Sequence, residues 1–319
     1  MNKKIKKILF ILLPIFLGVF LVYIYIAKFT HEELKQIVYN LKNANYWWIL
    51  LSLFFGILSH LSRAYRWHFM LAPLGYKPKY SNSIMAVLLA YLLNLVIPRS
   101  GEIARAATLA KYENVPFEKG FGTIVAERIS DIMMLLIILS IVFFYQADLI
   151  ISYFSGVNPT NKIIVLVLFF VFAYAGIKLI KKSTHPFLIK MRTFINGLIE
   201  GVGSILKMKK KGAFIFHTIF IWLMYIAMFW AVTFTVPETS HLTFEALLVG
   251  FIAGAVAMSI TNGGFGAYPV FVATALSLYG INKEAGASFG LLMWISQTLM
   301  VLTFGGLSFL FLPILNREK

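Results

Sequence analysis

Long apolar stretches recur along the whole chain, and a helix needs about 20 such residues to cross a membrane. Two further apolar regions, near 84–110 and 245–280, are each interrupted by a short, polar, glycine-rich segment. The pattern predicts an all-α polytopic membrane protein with about six transmembrane helices and two re-entrant helical hairpins, and it leaves an inverted repeat open. The six predicted spans lie near 8–27, 46–62, 124–146, 161–180, 213–235 and 286–312.

The two interruptions are the most informative segments of the chain. They read NLVIPRSGE over residues 94–102 and TNGGFGAYP over residues 261–269. Lipid cannot satisfy the N–H and C=O groups of a broken helix, so such breaks occur where the backbone is buried in protein or lines a wet cavity. Broken hydrophobic segments at corresponding places in two halves indicate the substrate site of a transporter. We therefore expect the functional site at these segments.

The composition excludes several classes of function. Hydrophobic residues make up 60% of the chain and charged residues 13%, and the mean hydropathy is +0.81, which excludes a soluble globule. Because the chain has no cysteine, disulfides, thiol catalysis and cysteine-ligated metals are excluded. The sequence has no recognisable metal, hydrolase or nucleotide motif, and we expect no cofactor. Residues 1–319 are expected to form a single integral membrane domain.

The 29 basic residues predict the orientation of the spans, because Lys and Arg favour the cytoplasmic side. With the N-terminus inside, 24 of them fall on the inner side and five, including Lys28 and Lys283, on the outer side. Both termini are therefore expected in the cytoplasm, and the protein in the bacterial cytoplasmic membrane. The net charge of +16 lies beside apolar spans, so we attribute it to topology and expect no binding of nucleic acid.

Three segments outside the hairpins carry patterns of their own. Residues 30–45 have apolar side chains at helical spacing and begin with a capping box of Thr30 and Glu33, which predicts an amphipathic helix on the outer surface. Residues 181–211 form a basic inner linker, interpreted as a topology anchor, with lipid-headgroup binding as the alternative. The basic segment 1–7 with its long apolar continuation is interpreted as a retained first helix, since a cleaved signal has a shorter apolar core.

Ionisable side chains inside or beside spans are functional candidates by default. Arg63 and Arg66 close the second span and are candidates for contact with a substrate. The alternative is an ordinary interface position, in which their side chains reach toward water. Arg99, Glu102 and Arg105 follow the first interruption, where arginines and the N–H groups of a helix start suit a lipid phosphate. The alternative is a salt bridge that closes the hairpin.

The third full span opens with a further charged group, Glu127, Arg128 and Asp131. Glu127 and Asp131 are four residues apart and are expected to share a helix face. Two carboxylates in proximity need a compensating cation, so we expect them to meet Arg99 or Arg105 of the neighbouring hairpin. An ion relay and a buried brace both remain open as the role of this group.

The second interruption carries no charge but is rich in small and polar residues. Asn262, Gly263, Gly264 and Gly266 permit backbone geometries closed to other residues and the close approach of a ligand. The alternative is a tight turn between two helices.

These segments, in this order, carry a family resemblance. The motifs at Pro98–Glu102, Glu127–Asp131 and Asn262–Gly266 resemble the flippase-like transmembrane domain of lysylphosphatidylglycerol synthases, over nearly the whole chain. Bacterial and archaeal stand-alone relatives share that domain. The sequence contains no soluble aminoacyl-transferring domain, so a stand-alone member is expected and lysyl transfer is not assigned. Relatives commonly have Pro-Gly-Gly followed by Glu in the second motif, and Asn262 and Pro269 occupy those places here.

The resemblance implies a two-hairpin fold and the movement of a lipid, with a phosphate head, between leaflets. The expected function is therefore that of a lipid flippase, which is not an enzyme and whose partners are anionic membrane lipids. The alternatives are an intramembrane lipid-modifying enzyme and a non-transporting partner of a lipid-synthesis complex. The lipid, the direction, the coupling ion and the formation of a homodimer are left open by the sequence.

Overall fold

The structure, a computed structural model, describes residues 29–97, 99–145 and 208–317, together with 16, 19–20, 23–27 and 189. The predicted span 161–180 lies outside these residues. So do Pro98, most of the predicted span 8–27 and most of the basic linker 181–211.

Nine α-helices have both ends within the described residues, which contain no β-strand. They are α1 (His31–Lys42), α2 (Tyr46–Leu71), α3 (Tyr80–Val96), α4 (Ser100–Tyr112), α5 (Phe117–Tyr145), α6 (Lys211–Thr233), α7 (Phe244–Ile260), α8 (Ala267–Ser277) and α9 (Lys283–Leu315). Helices α2, α5, α6 and α9 are long and apolar enough to cross a membrane, and each overlaps a predicted span. The predicted all-α polytopic membrane fold is confirmed.

Side chains at the helix starts explain several of these boundaries, because the first N–H groups of a helix lack backbone partners. The predicted capping box of α1 is present: Glu33 Oε2 accepts from the backbone N–H of Thr30 at 2.7 Å, and Thr30 Oγ1 accepts from that of Glu33 at 3.2 Å. Helix α9 begins after Asn282, whose Oδ1 accepts from the N–H of Ala285 at 2.8 Å.

The described helices belong to two compact units. The first consists of Met1–Glu127 and Gly212–Lys319, and the second of Arg128–Lys211. Helix α5 begins in the first unit and ends in the second. The hairpins and the helix contacts described next all lie within the first unit.

Helices α3 and α4 form the first helical hairpin, at the position of the predicted 84–110 region. The chain reverses at Arg99, which has a left-handed backbone with φ of 61°. The N–H of Gly101 donates to Asn94 Oδ1 at 2.8 Å across the reversal. A Cβ atom on Gly101 would lie 2.1 Å from the carbonyl oxygen of Ala90, so only glycine permits this approach of α4 to α3.

Helices α7 and α8 form the second helical hairpin, within the predicted 245–280 region. Between them lies a 3-10 turn of Asn262–Gly264, in which Gly263 has a φ of 59°. Gly254 in α7 lies against the ring of Tyr268 in α8, where a Cβ atom would come within 2.7 Å of the ring. The two helices therefore pack closely, as those of the first hairpin do.

The order long, short, short, long occurs twice along the chain. Helices α2 to α5 have 26, 17, 13 and 29 residues, and helices α6 to α9 have 23, 17, 11 and 33. The first helices of the two sets run antiparallel: Ser52 Oγ donates to the carbonyl oxygen of Met228 at 2.9 Å, and Ser62 Oγ lies 2.8 Å from His217 Nδ1. This is the relationship that an inverted repeat requires.

Helix α9 is joined by side-chain amides to other helices at both of its ends. Asn40 in α1 donates to Ser288 Oγ at 3.2 Å. Asn82 at the start of α3 and Asn316 after the end of α9 exchange two hydrogen bonds, of 2.9 and 3.0 Å. These bonds fix the register of the first hairpin against α9.

Candidate functional site

A buried carboxylate in the first unit contacts three arginines. Glu127 in α5 is only 1% exposed, and its Oε1 lies 2.5 Å from Arg63 Nη1 and 3.2 Å from Arg66 Nη2. Arg105 binds it with both terminal nitrogens, Nη2 to Oε2 at 2.9 Å and Nη1 to Oε1 at 3.2 Å. We call these four residues the arginine cluster.

The arginine cluster joins three helices. Arg63 and Arg66 lie three residues apart on one face of α2, Arg105 comes from α4 of the first hairpin, and Glu127 from α5. Removal of one partner from a buried ion pair is strongly destabilising, because it leaves a buried charge uncompensated. The cluster therefore holds the first hairpin against the two long helices that flank it in the chain.

Neighbouring side chains fix the orientation of two of the arginines. The guanidinium of Arg105 lies over the ring of Trp67, whose Nε1 donates to Thr123 Oγ1 at 2.8 Å. Arg66 donates from Nη1 to Thr218 Oγ1 in α6 at 2.9 Å. Sequence reasoning missed Trp67, which resembles an interface aromatic, and Thr218, which carries no local signal.

The structure corrects one interpretation of the second span and confirms one contact. The alternative that Arg63 and Arg66 reach outward to an interface is wrong, since they are 3% and 0% exposed and turn inward to Glu127. Glu127 and Asp131 were expected to meet Arg99 or Arg105, and this is confirmed for Glu127, which binds Arg105; the Asp131 carboxylate lies 3.4 Å from Arg128. The binding of a substrate by these residues stays a prediction.

The tip of the first hairpin differs from the arginine cluster in its exposure. Arg99 is exposed at the reversal, and Glu102 is half-buried in the first turn of α4. The N–H of Gly101, expected to be available to an anion, is taken by Asn94. The sequence predicted that N–H groups of the helix start and an arginine would bind an anion together. Because the N–H of Gly101 is occupied, such binding would depend mainly on the Arg99 side chain.

Arg128 and Asp131 belong to the second unit. Arg128 Nη1 lies 3.4 Å from Asp131 Oδ2, one helical turn further along α5. The Asp131 side chain is largely buried, whereas that of Arg128 is exposed. Their role as a relay or a brace stays open.

The tips of the two hairpins are in contact. Asn262 Nδ2 donates to the carbonyl oxygen of Val96 at 3.4 Å, and the backbone of Gly263 lies against the side chain of Leu95. The carbonyl oxygen of Gly263 accepts from Trp294 Nε1 in α9 at 2.8 Å. Sequence reasoning identified both tips but not Trp294, which stands within a continuous apolar helix.

The other glycines of the second tip serve its backbone. Gly264 and Gly266 are both buried and have φ values of 78° and 71°, which favour glycine. These values fit the tight turn that was the alternative at this segment, and the approach of a ligand to it stays a prediction. Within the described part of the chain, no group of three or more His, Asp or Glu side chains is arranged to hold a metal ion.

Comparisons with known proteins show what the chain is similar to. The family described as Lysylphosphatidylglycerol synthase TM region matches residues 11–305. The UPF0104 membrane protein MJ1595 of Methanocaldococcus jannaschii is 26% identical over 322 residues, a match that covers 92% of this chain and 91% of the relative. No solved structure matches the chain.

Proposed function

The chain belongs to the family of lysylphosphatidylglycerol synthase TM regions, and we propose that it moves a phosphate-headed phospholipid between the leaflets of the cytoplasmic membrane. The observation that carries this proposal is the contact between the two hairpin tips, at Asn262 and Val96. Broken helices that meet in an inverted arrangement are typical of transporters whose site opens to each side in turn. The antiparallel contacts between α2 and α6 supply that arrangement.

In the proposed mechanism, the lipid headgroup first meets Arg99 at the exposed tip of the first hairpin. Arg suits this role because its planar fork of donors matches the oxygens of a phosphate. Glu102, in the following turn, keeps the tip from holding the anion too tightly, since its charge repels a phosphate. The second tip, which contacts the first through Asn262, carries no charge, so the headgroup passes it without forming an ion pair.

The arginine cluster has a separate part in this proposal. Arg105 is held by Glu127 in the structure, so we propose that a phosphate exchanges with the carboxylate as a partner of Arg105 during movement. Arg63 and Arg66 then keep Glu127 compensated while Arg105 is occupied by the lipid. Without them, the exchange would leave a buried carboxylate unpaired, which is costly.

The proposed orientation places both termini in the cytoplasm. Arg63 and Arg66 lie toward the end of α2, and the exposed Lys77 and Lys79 follow it. Because α2 and α6 are antiparallel, the part of α6 near His217 lies on the same side of the first unit as these basic residues. An excess of Lys and Arg marks the cytoplasmic side.

Two other functions remain as outcomes of the test. A lipid-modifying enzyme would use Glu102, Glu127 or Asp131 as a general base, and a non-transporting partner would bind lipid-synthesis proteins. The purified protein is reconstituted into liposomes with fluorescently labelled phosphatidylglycerol, and an impermeant reductant reports the labelled lipid in the outer leaflet. Faster exchange between leaflets than in protein-free liposomes, without chemical change, supports the proposal. A new lipid product supports the enzyme. If lipid neither moves faster nor changes chemically, the result supports the non-transporting partner.

Arg99→Gln is the most direct variant for the proposed contact. The side chain is exposed, so its replacement should slow lipid movement and leave the yield of folded protein unchanged. Lys79→Gln is the matched control, because Lys79 is also exposed and basic but lies at the start of α3, away from the tip. Equal slowing of lipid movement by the two variants would contradict a specific contact between Arg99 and the lipid headgroup.

A further inference from the structure

A buried histidine lies one helical turn before Arg63 of the arginine cluster. His60 in α2 is 6% exposed, and its Nδ1 is buried without a hydrogen-bond partner among the described residues. A buried polar atom in this state has lost its water without replacement, which is costly, so a native structure that retains one needs a reason for it.

The other histidines near this helix are bonded through their rings. His217 Nδ1 lies 2.8 Å from Ser62 Oγ, and His68 Nε2 lies 3.1 Å from Ser83 Oγ. Both are ordinary packing arrangements for a histidine between helices. The unbonded Nδ1 of His60 is therefore a property of that position and not of the residue type.

Tyrosines from two other helices surround His60. The centroid of its ring lies 4.4 Å from that of Tyr91 in α3 and 6.4 Å from that of Tyr225 in α6. The hydroxyl groups of these tyrosines are 3.0 Å apart. On α2 itself the charged neighbour is Arg63, one helical turn further on. Tyr91, Tyr225 and Arg63 are thus titratable or charged groups that face His60 within the described part of the chain.

We propose that His60 binds the proton that drives lipid movement in this protein. The inference rests on the proposed function, since it names the coupling ion of that transport. In one state, the imidazole takes a proton at Nδ1 from water on one side of the membrane. In the other state, it releases the same proton to water on the opposite side, and no other bond forms or breaks.

Protonation of His60 would change the contacts of the first hairpin with α2. The imidazolium is attracted to the face of the Tyr91 ring and repelled by the like charge of Arg63. Tyr91 belongs to the first hairpin, and Arg63 binds Glu127, which in turn binds Arg105 of the same hairpin. Both forces therefore act where the hairpin meets α2, and proton release reverses them.

The test compares wild type, His60→Gln and the matched control His217→Gln in liposomes with labelled phosphatidylglycerol and an imposed pH difference. For one proton per lipid, each pH unit changes the ratio of lipid between the leaflets by a factor of about ten. We expect this response from wild type and from His217→Gln. We expect His60→Gln, which can form hydrogen bonds but cannot take up the proton, to move lipid to equal leaflet concentrations whatever the pH difference. A full response from His60→Gln overturns the inference.

A second measurement separates this inference from the proposed function. Purified protein in detergent is mixed with phosphatidylglycerol in weakly buffered solution, and a pH dye counts protons bound or released. Wild type and His217→Gln should change the pH, and His60→Gln should not. If wild type moves no lipid in liposomes, the proposed function fails. The proton count still tests whether His60 is the site that binds a proton. Equal counts for wild type and His60→Gln, or none from either, overturn the proton site.

Discussion

The guanidinium of Arg105 lies over the ring of Trp67, with Cζ 3.8 Å from the ring centroid. A cation in this position is attracted by the electrons of the ring face. Trp67 directly follows Arg66 in the sequence, so adjacent residues of α2 hold both the carboxylate of the arginine cluster and one of its arginines. The first hairpin is thus fixed to α2 by charge and by aromatic contact at one place.

We expect Glu127→Gln to destabilise the protein severely. The substitution leaves the buried arginines of the cluster facing an uncharged amide, and breaking a buried ion pair in this way costs about 3–5 kcal/mol. Thermal unfolding in detergent measures the effect. Glu113→Gln removes a carboxylate near the end of α4, outside the cluster, and should lower the unfolding temperature less. Similar losses in the two variants would contradict a central role for Glu127.

Two adjacent glycines in α9 offer a matched pair of substitutions. A Cβ atom on Gly305 would lie 2.7 Å from Leu92 Cβ and 2.9 Å from the carbonyl oxygen of Leu88, whereas one on Gly306 would meet nothing within 4 Å. Gly305→Ala should destabilise by about 1–3 kcal/mol, because it overpacks the contact with α3. Gly306→Ala should be neutral or stabilise by about 0.5–1 kcal/mol, because alanine favours the helix. The unfolding temperatures of both variants measure this, and the reverse order would contradict the packing of α9 on α3.

The contact between the hairpin tips is testable by a disulfide. The chain has no cysteine, so Val96→Cys with Asn262→Cys creates a single pair. We expect mild oxidation of the protein in membranes to join the pair, because these residues are in contact. The two single-cysteine variants are the controls, and proteolysis followed by electrophoresis under non-reducing conditions detects the bond. Persistent free thiols in the double variant would contradict contact between the tips.

The attachment of α1 should weaken in acid. The backbone N–H of Thr30 and, next, Lys283 hold the pKa of Glu33 below its usual range. A carboxyl whose pKa is lowered by folding contributes stability above its unfolded pKa, and this contribution disappears as the pH falls through the folded value. Amide hydrogen exchange in α1 should therefore accelerate at acidic pH, and Glu33→Gln should remove that dependence. A pH response that persists in Glu33→Gln would have another origin.

The orientation is open to labelling with an impermeant thiol reagent. A cysteine at His241, in the exposed loop before α7, should react in intact spheroplasts. A cysteine at Lys209, also exposed and before α6, should react only after lysis. The expected difference follows from the bias of Lys and Arg toward the cytoplasm. The opposite pattern would reverse the proposed topology.

Features with a local signal could be predicted from the sequence. The capping box of Thr30 and Glu33 depends on residues three apart, and the hairpins show as polar breaks in apolar runs. The pairing of Glu127 with Arg105 was also predictable, because Arg105 lies in the first hairpin and Glu127 lies in the helix that follows this hairpin in the chain. These features need no knowledge of how distant helices pack.

Features that depend on tertiary packing could not be predicted. Arg63 and Arg66 stand at the end of a span, where sequence alone cannot distinguish an arginine that reaches water from one that turns inward. The direction was decided by Glu127, more than 60 residues away, and by Thr218 in another helix. His60 likewise gave no signal, because its tyrosine neighbours come from α3 and α6.

The antiparallel contacts of α2 and α6 bear on how such a chain could have arisen by gene duplication. A short ancestral protein with only four such helices could rebuild these contacts only between two copies inserted in the membrane with opposite polarity. Once the copies are fused, each must keep a fixed polarity, and the exposed lysines that follow α2 (Lys77 and Lys79) and precede α6 (Lys209 and Lys210) can impose it. Reversing those charges in one half should therefore disturb insertion of that half before it affects any contact with lipid.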